Sequence, residues 1–430
     1  MILGDLKLNS NQTSILSRDS YYKWLVVLML WIVCFLNYAD RQAISSVLPL
    51  LRERFGLQAV ELGVIASAFA WFYAGAAPVA GVAADWLPRR YLIIVACVVW
   101  SVFTLMTAWC NGLWSLVSAR ALTGLGEAFY FPAAMALLSD YHDSQTRSRA
   151  LAIHQSAVYA GTILGGWLAA ELAQHSGWQT PFHLFGPGGI LVAIMLILWL
   201  REPRRGAAEN TQFKGESALS LVDTCRVIVR LPVAWLLMGA FFCSNFVAVI
   251  FLTWTPVFLV EKFHYAVGVA GLTGTIFIHL ASAFSVLFAG WLADLLSRRR
   301  AGGRMLVQVI GLVVGSGFVF WVATANTRLA LILAMMGFGA GKGFYDSGIF
   351  ASLYDCIEPR ARGTAAGLMN TVGWFGGALG PLFVGIVTKY GRRPTMTENM
   401  SDAIASGSII YLTAAGCIVF ALVLFRRRKI

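Results

Sequence analysis

Twelve apolar runs, each long enough to cross a lipid bilayer as a helix, constrain the fold of this 430-residue chain more than any other feature. A helix needs about 20 residues to cross the hydrocarbon layer. Charged residues make up 13% of the chain, whereas roughly 25% is usual for a soluble domain. The sequence therefore excludes a water-soluble globule and predicts an all-α integral membrane protein. The predicted spans are 23–43, 58–84, 90–110, 112–140, 147–173, 181–200, 232–260, 266–296, 304–324, 327–357, 362–389 and 402–425.

One long polar stretch, residues 201–231, divides the predicted spans into two groups of six. We therefore predict one six-helix bundle at 23–200 and a second at 232–425, with the polar stretch as the linker between them. A tail of residues 1–22 precedes the first bundle, and a basic tail of residues 426–430 follows the second.

Lys and Arg are distributed unevenly between the two ends of the spans. Most of the 33 basic residues lie in the amino-terminal tail, the even-numbered connections and the carboxyl-terminal tail. Because cytoplasmic loops carry an excess of Lys and Arg, we predict that both termini are cytoplasmic. We expect a multi-pass protein of the plasma membrane, which is the inner membrane in a bacterium. The basic residues of the odd-numbered connections are only Arg52, Arg54, Lys262, Arg328, Lys389, Arg392 and Arg393.

Short motifs recur in the two halves of the chain at nearly constant offsets, as in two related structural repeats. A Gly-x-x-x-Asp-x-x-x-Arg-Arg motif follows span 2 and recurs after span 8 at an offset of 209. In spans 4 and 10, an offset of 215 aligns residues 124–130 with residues 339–345, and it also aligns Asp140 with Asp355. The matched loop residues are Gly81, Asp85, Arg89 and Arg90 in the first half and Gly290, Asp294, Arg298 and Arg299 in the second.

Six spans plus six, a central linker and these two loop motifs together resemble the major facilitator superfamily of secondary transporters. The resemblance implies twelve transmembrane helices in two pseudo-symmetric six-helix bundles that expose a midplane site alternately to the two sides of the membrane. Pro88 departs from the loop motif of this superfamily, which usually has Gly there, so we expect a stiffer turn.

Two groups within this superfamily share features with the chain. Residues 37–41 (Asn-Tyr-Ala-Asp-Arg) in span 1, Arg120 and residues 126–127 (Gly-Glu) in span 4, and the following Pro132, look like the organic-anion symporters of the anion:cation symporter group. The second half, with the Trp-Thr-Pro string at 254–256, is closer to Spinster-type lipid transporters. Both groups therefore stay open.

Six of the charged side chains within the predicted spans are expected at membrane depth, where each costs about 2.5 to 3.5 kcal/mol if it is unpaired in lipid. They must therefore face one another or water. Three are acids and three are bases, so one added proton leaves a net charge of +1, which matches one bound anion. This balance predicts proton–anion symport. The six residues are Asp40, Arg41, Arg120, Glu127, Lys342 and Asp346.

The resemblance to the anion symporters implies a role for each charge in spans 1 and 4. Arg41 would bind the anionic group of the substrate, whereas Asp40 and Glu127 would take up protons. Arg120 lies seven residues before Glu127 and so on nearly the same helix face, where it would control proton uptake. Alternatively, these charges are only structural pairs that hold spans 1 and 4 together.

Lys342 occupies the position in span 10 that Glu127 occupies in span 4. If the halves are related by an axis along the membrane normal, these two residues face each other across the cavity, and Lys342 is a second anion contact or a counter-ion. The alternative is a local i, i+4 pair between Lys342 and Asp346. Further candidate substrate-binding residues are Asn37, Tyr38, Tyr130, Tyr345 and Asn370, and other candidate cavity groups are Gln155, Tyr159, Asn245, Trp254 and Trp374.

The two loop motifs are expected to form a gate at the cytoplasmic ends of the bundles. Asp85 would accept hydrogen bonds from helix amino-terminal N–H groups or from an arginine, and these bonds would break when the gate opens. Positive-inside anchoring is the alternative, but it leaves the acid unexplained. Glycines in spans 5 and 11 are expected to be close helix contacts; they are Gly161, Gly165, Gly166, Gly373, Gly376, Gly377 and Gly380.

The sequence contains no pattern typical of an enzyme or a metal site. The seven cysteines stand singly, and HExxH, GxSxG and nucleotide-loop motifs are absent. We therefore predict no enzymatic activity, no metal and no cofactor. The expected partners are a small anionic substrate, protons and the lipid bilayer, without nucleic acid, and the protein is expected to be a monomer.

The sequence thus predicts a proton-coupled symporter of a small organic anion, such as a sugar acid or another carboxylate. The alternative within the same fold is a Spinster-type transporter of an anionic amphiphile such as a lysophospholipid.

Overall fold

The computed structural model describes residues 10–143, 146–203, 228, 230–357 and 362–429. Within these ranges it does not describe the side chains of residues 10–20, 85, 148, 362–364 and 428–429. Most of the predicted linker therefore lies outside the described residues. All regular elements among the described residues are helices.

The first half of the chain forms eight helices and one π-helical segment. These are α1 (Ser10–Phe55), α2 (Ala59–Trp86), α3 (Arg89–Thr107), α4 (Leu113–Glu127), α5 (Tyr130–Tyr141), α6 (Arg147–Ala160), the π-helical segment Gly161–Gly165, α7 (Gly166–Ser176) and α8 (Thr180–Trp199).

The second half forms seven described helices. These are α9 (Pro232–Phe263), α10 (Val267–Arg299), α11 (Gly303–Thr324), α12 (Arg328–Asp346), α13 (Ile349–Tyr354), α14 (Arg362–Tyr390) and α15 (Met396–Lys429).

Every one of the twelve predicted spans corresponds to a helical unit. Ten segments among the described residues are long and apolar enough to cross a membrane. The other two units are the predicted spans 5 and 10, which form Arg147–Ser176 and Arg328–Tyr354. Both are interrupted and carry polar residues, so their composition alone identifies them less clearly.

The predicted span 4 is broken into two helices immediately after Glu127. Residues 128 and 129 form a turn between α4 and α5. Pro132 lacks the N–H that would bond to the carbonyl of Ala128, and its ring crowds that carbonyl, so the helix cannot continue unchanged through this point. The proline therefore ends α4 at a buried acidic residue.

Small residues bring the helices of the first half close together, as predicted for span 5. Gly161 packs on the backbone carbonyl of Phe35, and Gly165 packs on Ala39, so neither position has room for a Cβ. In span 11, Gly376 packs on the carbonyl of Phe242 in the same way. The predicted glycine contacts are thus present, and those of span 5 lie beside the charged residues of α1.

The sequence repeat corresponds to a repeat in helix packing. Gly124 in α4 lies against the carbonyl of Phe69 in α2, and Gly339 in α12 lies against the carbonyl of Ile278 in α10. The two glycines differ by 215 residues and the two carbonyls by 209, which are the offsets of the sequence motifs. The halves are therefore built on the same internal contacts.

The two halves contact each other mainly at the face opposite the chain termini. There the end of α14 packs on the start of α2, with Gly63 on the carbonyl of Pro381. Also at this face, Arg52 Nη1 of α1 lies 2.6 Å from Glu261 Oε1 of α9. The molecule is therefore closed at this opposite face. We call the other face, where α1 begins and α15 ends, the termini face.

Arg52→Gln is expected to loosen the closed face, because it removes this ion pair between the halves. Both side chains are 31% exposed, so the pair contributes modestly, and we expect about a two- to fivefold gain in access. The measurement is labelling of Ser45→Cys, a cavity position, by an impermeant maleimide from the opposite face in a background without the seven native cysteines.

The matched control is Arg54→Gln, because Arg54 is exposed, lies two residues away and has no described ion pair. The charge swap Arg52→Glu with Glu261→Arg should restore slow labelling. Equal labelling rates in the Arg52→Gln and Arg54→Gln proteins would show that the pair does not hold this face closed.

Candidate functional site

A cavity between the two halves opens toward the termini face. Its deep part has a volume of about 290 Å³ and continues into a vestibule of about 1170 Å³. The vestibule extends to Tyr354 and Ala366, which lie at helix ends of the termini face. Residues that line both parts include Tyr38, Gln155, Tyr159, Asn245, Lys342, Asp346 and Trp374.

The wall of the deep cavity carries more positive than negative charge. Arg41, Arg120 and Lys342 line it, and Asp346 is the one described carboxylate among its lining residues. Asp40 and Glu127 are almost completely buried behind this wall, with exposed fractions of 2% and 0%. The cavity therefore presents cations to a ligand, while two of the three acids are shielded from it.

Arg41 is held by one carboxylate and surrounded by aromatic rings. Its Nε donates to Glu127 Oε2 over 2.5 Å, and its guanidinium carbon lies 4.7 to 5.4 Å from four ring centroids. Such rings attract a cation through their negative faces, so they stabilise the charge without using its N–H donors. The rings belong to Tyr38 of α1, Phe69 and Tyr73 of α2, and Trp374 of α14.

Both cavity arginines keep hydrogen-bond donors without a partner among the described residues. Nη1 of Arg41 and Nε of Arg120 are buried and make no hydrogen bond. The guanidinium of Arg120 lies 4.8 Å from the ring centroid of Phe69. A buried donor without a partner is costly, and a carboxylate oxygen is the acceptor that a guanidinium matches best.

The two buried acids behind the wall, Asp40 and Glu127, each have one carboxylate oxygen without a described hydrogen-bond partner. Asp40 accepts a hydrogen bond from the hydroxyl of Thr104 in α3, while its other oxygen has no described partner. Oε1 of Glu127 likewise has none. A carboxylate with free acceptor capacity in a buried place can hold a proton when its cation moves away.

Lys342 pairs with Asp346 one helical turn away, and the two side chains are 22% and 31% exposed. The expectation that Lys342 faces Glu127 is wrong for this conformation, because Glu127 is fully buried and bound to Arg41. The i, i+4 alternative is the arrangement observed. The alignment of the two repeats places Glu127 and Lys342 at equal depth in the membrane, but it does not determine where their side chains point.

The remaining candidate residues fall into two groups. Tyr38 lines both parts of the cavity and Asn370 lines the vestibule.

Tyr130 and Tyr345 are instead fully buried, and the hydroxyl of Tyr130 donates to the Leu30 carbonyl. Asn37 is fully buried, and neither of its side-chain polar atoms has a hydrogen-bond partner among the described residues. None of these last three side chains is among the residues described as lining either part of the cavity. Trp254 is also buried, with its indole nitrogen bound to the Pro381 carbonyl.

The contacts described for the loop motifs stay within each half. Arg89 forms an ion pair with Asp140. In the second half, Arg304 bridges two acids, with Nη1 2.7 Å from Asp355 Oδ2 and Nη2 3.2 Å from Asp294 Oδ1. The side chain of Asp85, for which a hydrogen-bond partner was predicted, lies outside the described residues.

Arg304, rather than Arg298, is the structural counterpart of Arg89. Arg89 and Arg304 differ by 215 residues, as do their partners Asp140 and Asp355. Within the described residues, Arg298 and Arg299 form no ion pair. The second loop is therefore six residues longer than the first, and the sequence analysis missed Arg304 because it aligned the loops without a gap. The constant offset of 215 was the signal that identifies it.

Phe69, Tyr73 and Thr104 are site residues that the sequence analysis did not identify. Phe69 and Tyr73 lie one helical turn apart on α2, and Thr104 lies on α3. Nothing in the sequence separates these aromatic residues from the many others in the spans, because packed and lipid-facing rings have the same spacing.

The chain matches a known protein family and known transport proteins over most of its length. The sequence profile of the Major Facilitator Superfamily matches residues 30–381. The D-galactonate transporter of Escherichia coli O6:H1 (strain CFT073) is 27% identical over 416 residues, which are 92% of this chain and 96% of that protein. The chloroplastic sodium-dependent phosphate transport protein 1 of Arabidopsis thaliana is 29% identical over 386 residues, which are 86% of this chain and 74% of that protein.

A solved structure has the same fold. It is a bacterial homolog of the human lysosomal transporter Spinster in an inward-facing, occupied conformation, with a TM-score of 0.78 and 20% identity over 93% of this chain and 97% of that chain. At this identity the likeness shows the fold alone. It confirms the predicted architecture of twelve membrane-spanning helices in two related six-helix bundles.

Proposed function

The chain belongs to the Major Facilitator Superfamily, whose members are membrane transporters rather than enzymes, and on this premise we propose that it cotransports protons and a small organic anion, a sugar acid or similar carboxylate. The observation that carries the proposal is the charge of the deep cavity. Three cations line it against one described carboxylate, so an anion entering it gains favourable interactions and a cation does not.

A polyhydroxylated carboxylate matches the other groups of the wall. Gln155, Tyr159 and Asn245 supply hydrogen-bond donors and acceptors in both parts of the cavity, and Trp374 supplies a flat apolar surface of the kind on which a sugar chain packs. The D-galactonate transporter, which aligns over nearly its whole length, supports this substrate class. Its substrate combines one carboxylate with several hydroxyl groups.

Proton coupling follows from competition for Arg41. A substrate carboxylate that binds this guanidinium displaces Glu127, its present partner. A buried carboxylate that has lost its cation favours its protonated form, so substrate binding and proton uptake promote each other.

We place the termini face in the cytoplasm, because most basic residues of the connections lie there. The observed conformation is then inward-facing, closed toward the outside and open toward the cytoplasm. Rocking of the two bundles about the midplane site would expose the same arginines to the other side.

Transport of an anionic amphiphile is the second candidate, favoured by one feature of the vestibule. Phe241, Val286, Leu287 and Phe350 give it an apolar wall. A lysophospholipid would place its phosphate at the arginines and its acyl chain along this wall.

The test is uptake by proteoliposomes of a panel of sugar acids, other carboxylates and lysophospholipids, with and without an imposed pH gradient. The proposal expects accumulation of a sugar acid that increases when the outside is acidic. Uptake of lysophospholipid alone would support the second candidate, and uptake indifferent to the gradient would refute proton coupling.

A further inference from the structure

Cations lie on both walls of the deep cavity, and they belong to different bundles. Arg41 on α1 and Arg120 on α4 belong to the first half, whereas Lys342 on α12 belongs to the second. All three line the same space of about 290 Å³. A substrate with one carboxylate has an acceptor for the arginine side only.

Lys342 lies where the two bundles meet. Tyr159 of α6 and His279 of α10 both line the cavity with it, and their rings contact each other across the halves with centroids 6.0 Å apart. Lys342 thus adjoins a contact between the bundles. An anion bound here touches the second half while its other end touches the first.

The pair between Lys342 and Asp346 is open to competition. Both side chains are partly exposed to the cavity, and exposed i, i+4 pairs are weak. Arg41 shows a similar arrangement on the other wall, where the buried Glu127 occupies its guanidinium. Each wall therefore carries a cation whose present partner is an internal carboxylate that a substrate carboxylate can replace.

We propose that Lys342 is a second anion-binding group and that the preferred substrate carries a carboxylate at each end, as a sugar diacid does. This inference rests on the proposed function. One carboxylate binds Arg41 in the first bundle, and the other binds Lys342 in the second. A substrate that bridges the bundles favours the conformation in which they close around it. A monocarboxylate leaves Lys342 with Asp346.

The test compares two six-carbon sugar acids that differ at one terminal carbon: galactarate, with a second carboxylate, and D-galactonate, with a hydroxymethyl group there. Initial rates of uptake are measured in proteoliposomes for the wild type, Lys342→Gln and Lys342→Arg. Lys389→Gln is the control, because Lys389 lies at the end of α14 and is not among the described cavity-lining residues.

The wild type should have a lower KM for galactarate than for D-galactonate. Lys342→Gln should raise the KM for galactarate about ten- to a hundredfold, the loss expected for one charged hydrogen bond. Its KM for D-galactonate should rise less, by about two- to fivefold, since that substrate loses only the general attraction of the Lys342 charge and no ionic contact. Lys342→Arg should keep the preference for galactarate, and Lys389→Gln should behave as wild type.

Different outcomes overturn different claims. An equal loss for both substrates in Lys342→Gln would show a structural role for Lys342, and no loss for either would show no role. Uptake of D-galactonate without galactarate by the wild type would also overturn the inference. Each of these results leaves the proposed function intact. Uptake of no sugar acid by the wild type would overturn the proposed function, and the inference with it.

Discussion

Arg41→Ala is expected to reduce sugar-acid uptake about a hundredfold or more, the effect of truncating one partner of a buried, hydrogen-bonded charge pair. Arg41 supplies the guanidinium that binds the substrate carboxylate, and its described contacts with the four surrounding aromatic residues are with their ring faces. The measurement is the initial rate of uptake in proteoliposomes, normalised to the amount of inserted protein.

The substitution also leaves Glu127 buried without its cation, which destabilises a protein by about 3 to 5 kcal/mol. The double variant Arg41→Ala with Glu127→Gln removes that unpaired charge. Its folding should recover while uptake stays absent. Arg41→Lys should also transport poorly, because an ammonium lacks the bidentate fork of a guanidinium. Normal uptake by a well-folded Arg41→Ala protein would exclude Arg41 from the substrate site.

Glu127→Gln is expected to abolish accumulation driven by a pH gradient while leaving exchange of internal for external substrate. The amide resembles a permanently protonated carboxyl, so it frees Arg41 for the substrate but neither takes up nor releases a proton. Gradient-driven accumulation should fall by about a hundredfold or more, the lower end of the usual contribution of a group that must transfer a proton.

The matched control is Glu53→Gln, because Glu53 is an exposed acid near the end of α1, outside the cavity. It should accumulate substrate as the wild type does. Gradient-driven accumulation by Glu127→Gln at the wild-type level would assign proton coupling to another group, with Asp40 the next to test.

The sequence predicted the fold well because the strongest signals in a membrane protein are local. The length and hydropathy of each run determine the spans, and an unpaired charge in lipid is costly enough that Arg41, Arg120 and Lys342 had to reach water. All three do line the cavity. The break after Glu127 was less apparent, although Pro132 accounts for it once the helix is seen to stop there.

Side-chain partners were harder to predict than depth. The repeat placed Glu127 and Lys342 at equivalent positions, but Arg41 on the adjacent helix reaches Glu127, and Asp346 lies within one turn of Lys342. In both pairs the observed partner is a nearby carboxylate, because a long side chain loses less conformational entropy in reaching a near partner than a distant one. The aromatic residues around Arg41 come from three helices, so no pattern within one span reveals them.

The proposed mechanism requires substrate and proton to cross the membrane together. Its most direct test traps a pH-sensitive dye inside proteoliposomes, sets equal pH and zero membrane potential, and adds the transported sugar acid outside. We expect the interior to acidify as substrate enters with the wild-type protein and not with Glu127→Gln. Uptake of the sugar acid by the wild type with no change of internal pH would contradict the account.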